Sequence, residues 1–285
     1  MDTIVQTWAI VQRAQVGWVL AALAFYVSAW LAGGWRWQLI VNVLGSRVAF
    51  IHAALATIAC VAVNNLTPTG RVGGEAARIA MTRLRSDISL ARSALASVCD
   101  RLLDLPAAAV VFLIALPVLP ALAGGHVLAA AVAGLALLIV GLLAGRWLRA
   151  RLHASLTEWQ QLGVRVAPRV VVAVVTLSLL VWGQDVLRLL AIGRAFGVPL
   201  TVAQCAALNI VSLLGGFVPT IGGLGAVEGA LVGTLLLFGV TLETALAITA
   251  LERSITFGFS TALGGGVAAW FGGRRLLRPD AAATS

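Results

Sequence analysis

Long apolar runs separated by short polar or arginine-bearing stretches organise this chain. The runs lie near residues 16–34, 48–66, 102–122, 126–145, 170–190, 201–218, 226–240 and 244–271. About 20 apolar residues are enough for one helix to cross a bilayer. The pattern therefore predicts an all-α integral membrane protein with about eight transmembrane segments. Arginine-rich connections fall at 71–92, 146–169 and 274–278. Simple alternation of the spans puts all three on one side, and the positive-inside rule makes that side the cytoplasm, with the N-terminus beside it. No cleavable signal peptide is expected, because no basic segment precedes the first apolar run.

Two stretches depart from plain alternation. Between 75 and 98, Leu84, Ile88, Ala91, Leu95 and Val98 recur at helical spacing, with Arg78, Arg85 and Arg92 at the edge of the stripe. That pattern predicts one helix lying in the headgroup layer, or a hairpin dipping partway in. The second stretch carries Gly215, Gly216, Gly222, Gly223, Gly225 and Gly229. So broken a run is tolerated at membrane depth only where protein covers it or it lines a cavity.

A repeat ties these stretches together. Pro68-Thr69-Gly70-Arg71-Val72-Gly73-Gly74-Glu75 is echoed by Pro219-Thr220-Ile221-Gly222-Gly223-Leu224-Gly225-Ala226-Val227-Glu228, with the prolines 151 and the glutamates 153 residues apart. Asp100-Arg101 and Glu252-Arg253 are 152 apart, as are Arg36 and Arg188, and Gly45 and Gly197. One offset at several landmarks points to duplication, as in many transporters. The expected organisation is a single polytopic domain over 1–285. Pseudo-repeats 16–122 and 170–273 would be joined by a linking helix and arginine-rich loop at 126–169. Counting spans gives both motifs the same orientation. The five arginines between 71 and 92, against none between 195 and 252, suit opposite sides instead, with two facing re-entrant elements.

Composition narrows the function. Of 285 residues, 60% are hydrophobic and 11% charged, which excludes a soluble globular domain and a disordered chain. The net charge of +9 comes entirely from arginine, since the sequence has no lysine. Beside apolar spans, such cations suit anionic headgroups rather than nucleic acid. Cys60, Cys99 and Cys205 are too scattered for a disulfide frame or a zinc site, so neither a metal nor a cofactor is expected. No nucleophile elbow, zinc-protease motif or P-loop lysine occurs, and no enzyme activity is expected.

Candidate residues follow from charge and helix-breaking. Asn64, Asn65 and Pro68 end an apolar helix, and Gly73 and Gly74 precede a new one whose free N–H groups favour anions. Arg71 and Arg78 add positive charge there, giving a candidate headgroup site. The bland alternative is a cytoplasmic turn in which Glu75 caps the helix and pairs with Arg78. Pro219, Gly222, Gly223 and Gly225 break the second copy, and Glu228 either caps the next helix or faces a polar cavity. Asp100, Arg101, Asp104, Glu252 and Arg253 stand at or inside spans, as structural ion pairs or as a rearranging gate. Asp185 and Arg188 read as an interfacial pair, and Arg36, between Trp35 and Trp37, as an anchor in an aromatic belt.

Asn64-Asn65-Leu66-Thr67-Pro68, Gly73-Gly74-Glu75-Ala76-Ala77-Arg78, Asp100-Arg101-Leu102-Leu103-Asp104 and Gly222-Gly223-Leu224-Gly225-Ala226-Val227-Glu228-Gly229 resemble the transmembrane domain of lysylphosphatidylglycerol synthases. That domain also occurs alone in flippase-like proteins, some associated with hopanoid or glycolipid pathways. The resemblance implies movement of a polar lipid between leaflets of a bacterial inner membrane. Asn65, Pro68, Arg71, Gly74, Glu75, Arg78, Asp100, Arg101, Gly223, Gly225, Glu228 and Arg253 match its motifs. Implied partners are membrane lipids, either anionic or aminoacylated phospholipid or a polyprenyl or hopanoid-type lipid, and a lipid-synthesis enzyme. Two departures stand out. The soluble aminoacyl-transferring domain is not in this sequence, so lipid lysylation is not implied, and a second proline expected near Gly222 is missing. A secondary transporter of a small solute or ion, and a non-transporting subunit that docks a lipid-modifying enzyme, are the alternatives.

Overall fold

A computed structural model describes residues 2–68, 72–118 and 167–276. Among the described residues there are helices and turns and no strand. In chain order they are α1 (Asp2–Gln12), α2 (Val16–Val43), α3 (Phe50–Leu66), α4 (Val72–Arg83) and α5 (Leu90–Ala115). After residue 167 come α6 (Pro168–Ala195), α7 (Val202–Gly215), α8 (Ala226–Leu237), α9 (Leu242–Arg253) and α10 (Ser260–Leu276). A 3₁₀ turn at Ile221–Gly223 precedes α8, and one π-helical turn, Ser254–Phe259, joins α9 to α10.

Helices α2, α5 with its short extension to Val118, and α6 are long and apolar enough to cross a membrane. Helices α3 and α7 are shorter and apolar. At about 1.5 Å per residue, the 12-residue α8 is about 18 Å long. The apolar run expected at 226–240 forms this shorter helix, part of the apolar stretch Ile221–Leu237. Its apolar signal ran on through Phe238 and Val240, beyond the turn at Gly239 (φ 80°).

Of the two forms expected for 75–98, a single helix is not what forms: two helices meet at a turn. Helix α4 stops at Arg83 and α5 starts at Leu90, where the Ser89 hydroxyl accepts from the Arg92 N–H at 3.3 Å. The expected linking segment at 126–169 lies almost wholly outside the described residues, as does the end of the first pseudo-repeat.

Helix pairs begin at one spacing: Val16 and Pro168, Phe50 and Val202, Leu90 and Leu242 are each 152 residues apart. Helices α2 and α6 both have 28 residues, and both are followed by a glycine with positive φ, Gly45 (84°) and Gly197 (71°).

These two long helices pack antiparallel. The Gln15 N–H, at the start of α2, donates to the Ala195 carbonyl at the end of α6 at 2.9 Å. Ser28 bonds Gln184, and Arg36 donates to Ser178 at 2.9 Å. Trp37 and Val41 share a buried cluster with Val174. Partner numbers on α6 fall as numbers on α2 rise. A second buried cluster gathers Ala22 with Val186, Leu189, Ile192 and residues of α7, α8 and α9. Small residues let other helices close up: a side chain at Gly264 would stand 2.3 Å from the Ile58 carbonyl oxygen on α3.

Candidate functional site

The charges expected to be expensive inside apolar helices are gathered into two networks. The first joins α2, α4, α5 and α6. Asp100 on α5 is fully buried and holds two guanidiniums: Arg36 Nε lies 2.8 Å from its Oδ1, and Arg78 Nη1 lies 2.8 Å from its Oδ2. Asp104, one turn on, grips the same Arg36, which also donates to Ser178 on α6. Arg78 reaches back to Glu75, and Glu75 receives Arg101 at 2.9 Å and the Ser97 hydroxyl at 2.6 Å. The Arg78 guanidinium lies 3.9 Å above the ring centre of Trp37, a cation–π contact in a desolvated setting. The Trp37 indole N–H is satisfied by Thr82 Oγ1 at 2.9 Å. Arg36, Arg78 and Arg101 balance Glu75, Asp100 and Asp104, as burial of charge requires.

The second network joins α6, α8, α9 and the two irregular turns. Arg188 on α6 binds Asp185 one turn earlier, and its Nη2 lies 3.3 Å from Glu252 Oε1 on α9. It also stands 5.6 Å from the ring centre of Tyr26 on α2. Arg253 binds Glu228 Oε1 at 2.7 Å and donates to the Gly222 carbonyl at 2.8 Å. Glu228 Oε2 accepts the Gly225 N–H at 2.7 Å, so Glu228 closes the start of α8 as the bland reading expected.

The asparagines connect these parts. Asn64 Oδ1 accepts the Gly74 N–H at 2.8 Å and ties the end of α3 to α4. The Asn65 amide nitrogen lies 2.9 Å from Ser260 Oγ, 3.0 Å from Thr261 Oγ1 and 3.3 Å from the Thr256 carbonyl. A π turn displaces the helical hydrogen-bond ladder, and here Asn65 supplies a donor to it. Gly222 (φ 59°) sits against the same place: a side chain there would stand 2.4 Å from the Phe257 ring and 2.8 Å from the Asn65 carbonyl oxygen. The end of the first motif region thus touches the second.

Several expectations change. Arg36 is not an interfacial anchor: it is 5% exposed, while Trp35 beside it is 53% exposed. Arg188 is buried rather than interfacial. Asp100 and Glu252 do not pair chiefly with their neighbours Arg101 and Arg253, but with arginines on other helices. Arg78, expected to hold a headgroup, is 2% exposed and already bound by two carboxylates. Arg71 lies outside the described residues. The groups on the open side of the networks are Arg101, 51% exposed, and Glu75, Glu228 and Asp185, 20 to 30% exposed. The expected Asp185–Arg188 pair forms and is joined to Glu252 on α9, whereas Arg36, Tyr26 and Ser178 had no place among the expected charge pairs. The 152-residue match of Arg36 with Arg188 was the signal that could have found them.

Two cavities are open to the surroundings. One of about 560 Å³ lies at the α4–α5 connection beside Arg83, Asp87 and Ser89. The other, about 570 Å³ and mostly apolar, lies between α3 and α10 and is lined by Ile51, His52, Leu55, Leu263, Val267 and Trp270, with Arg85 also at its wall.

Apolar helices of this length, with charges withdrawn into paired buried networks, define an integral membrane protein. The chain belongs to the family described as the lysylphosphatidylglycerol synthase TM region, whose model matches residues 3–264. A UPF0104 membrane protein of Methanothermobacter thermautotrophicus is 26% identical to it over 273 residues, covering 83% of this chain and 80% of that protein. A UPF0104 membrane protein of Pyrococcus horikoshii is 23% identical over 297 residues, covering 91% and 89%. A third, from Archaeoglobus fulgidus, is 35% identical over 100 residues, covering 34% and 29%.

Proposed function

We propose that this protein moves a polar, phosphate-bearing or aminoacylated lipid between the leaflets of the cytoplasmic membrane. The observation that carries this reading is an exchange of contacts between α2 and α6. Arg36 meets Ser178 while Arg188 meets Tyr26, and 36 and 188, like 26 and 178, are 152 residues apart. Reciprocal contacts between antiparallel helices are what a two-fold axis across both helices produces. If α2 and α6 span the bilayer, the two halves are inverted repeats, the architecture that places a substrate path at the repeat interface. The levels of Arg36 and Arg188 are ten residues apart along α2, about 15 Å. Both networks then fit inside a hydrocarbon layer of about 30 Å.

Such a layout suits a lipid better than a free solute. The apolar groove between α3 and α10 is open to the surroundings, which would let an acyl chain stay in lipid while only the headgroup crosses. Arg101 offers a guanidinium to a phosphate, and Glu228 and Asp185 offer carboxylates to an ammonium group. Family membership and the resemblance of the motifs point the same way.

The test is transbilayer movement of headgroup-labelled phosphatidylglycerol, aminoacylated phosphatidylglycerol and polyprenyl phosphate in liposomes holding the purified protein. Faster movement of at least one of them than in empty liposomes is expected. Arg101→Ala should slow it at least fivefold without changing the thermal melt. Rates equal to empty liposomes for every lipid would overturn the reading. Flux of a small solute or ion in the same vesicles would select a secondary transporter, and co-purification of a lipid-modifying enzyme with inert vesicles a docking subunit.

A further inference from the structure

The two networks differ by one charge. The first holds three arginines and three acids. The second holds Arg188 and Arg253 against Asp185, Glu228 and Glu252, one acid too many among the described residues. The missing cation can be located. Arg78, three residues after Glu75, bridges Glu75 and Asp100. Three residues after Glu228 stands Leu231, 2% exposed like Arg78. The second half therefore keeps the two acids, Glu228 and Glu252, and lacks the arginine that would lie between them. A second trace is Thr249, 152 residues after Ser97. Ser97 donates to Glu75, whereas the buried Thr249 hydroxyl has no partner among the described residues.

We infer that Glu252 binds a proton, which takes the place of the absent cation and makes this network the protein's proton-coupling site. The chemistry is one O–H bond formed on the carboxylate with a proton from water. Glu252 is 2% exposed. It is faced by Arg188 and Asp185 from α6, Tyr26 from α2 and Arg253 on its own helix, with Glu228 of α8 reached through Arg253. Helix α1, which also packs on α9, carries no charged group from Thr3 to Gln12. Arg188 is shared with Asp185, so its 3.3 Å contact gives Glu252 only part of a countercharge. The Thr256 hydroxyl has one hydrogen, which the Glu252 carbonyl accepts at 3.0 Å. The same hydroxyl lies 3.1 Å from Glu252 Oε2, so its single hydrogen is shared between the two acceptors. A proton rather than a metal cation suits the site, because the position that matches Arg78 carries buried Leu231, whose side chain offers a metal no ligand.

The inference uses the repeat correspondence of the proposed function, but its test needs no lipid movement. Difference infrared spectra of the whole protein in lipid nanodiscs, taken between pH 5 and 9, should show a protonated carboxyl C=O band near neutrality. The band should be lost in Glu252→Gln, weakened in Asp185→Asn, which leaves Arg188 wholly to Glu252, and abolished in Leu231→Arg, which restores the missing cation. A band that survives Glu252→Gln, or no band in the wild type, would overturn the assignment. Loss of the band on exchanging choline for sodium would also overturn it, in favour of a metal cation. Lipid flipping without the band would leave the transport reading standing alone.

Discussion

Asp100→Ala is expected to leave almost no folded protein. The Asp100 carboxylate, 0% exposed, holds Arg36 and Arg78, which are themselves 5% and 2% exposed. Removing it leaves Arg36 with Asp104 alone and Arg78 with Glu75 alone, each buried guanidinium one carboxylate short. Breaking a buried ion pair by deleting one partner costs about 3–5 kcal/mol, and here one deletion breaks two. Proteins have only about 5–15 kcal/mol in total. Size-exclusion profiles and thermal melts in mild detergent check this. Asp104→Asn, at the 14% exposed rim of the same network, should instead lower the melting temperature by a few degrees. A wild-type melt for Asp100→Ala would mean that the network contributes nothing to folding.

Gly74→Val should be nearly as damaging, for a steric reason. At Gly74, α4 crosses α3 so closely that a Cβ atom would stand 2.2 Å from the Cys60 carbonyl oxygen and 2.5 Å from the Asn64 amide. Both are fixed by the helix or by the hydrogen bond to the Gly74 N–H, so neither can yield cheaply. Overpacking costs typically about 1–3 kcal/mol, and contact with backbone pushes toward or beyond the upper end. Gly229→Ala, where nothing lies within 4 Å of the new Cβ, is the control and should melt like wild type. In the second half the corresponding crossing has its small residue on the other helix: Gly215 on α7 passes beneath Val227 on α8. A glycine on either helix permits the approach, so the requirement belongs to the pair and not to one position.

What could be read from the chain divides along the range of the forces involved. Helical class and apolar spans are local properties, and the 152-residue spacing of Arg36 with Arg188 was visible because it is a property of the string. The starts of α2 and α6, α3 and α7, and α5 and α9 keep that spacing. The direction a buried arginine faces was not visible. Arg36 lies between two tryptophans, one outward and one inward, and nothing nearby states which it follows. Its partners, Asp100, Asp104 and Ser178, are 64 to 142 residues away. The stripe through Leu84 and Leu95 runs on across the α4–α5 turn because both sides carry apolar residues in helical phase, while the new helix is marked locally only by its Ser89 cap. The antiparallel pairing of α2 with α6 was out of reach for the same reason. Span counting needs every crossing to be known, whereas contact order along two helices settles their relative direction outright.

That the two halves face opposite sides of the membrane is tested most directly by side-specific labelling of one matched pair of loops. Arg47 follows α2 and Pro199 follows α6, 152 residues later, and both are exposed. Single cysteines placed there, Arg47→Cys and Pro199→Cys, would be made in a protein lacking Cys60, Cys99 and Cys205. Each is then challenged with a membrane-impermeant maleimide in right-side-out and inside-out vesicles. Inverted halves predict that the two cysteines react from opposite sides. Reaction of both from the same side would contradict it.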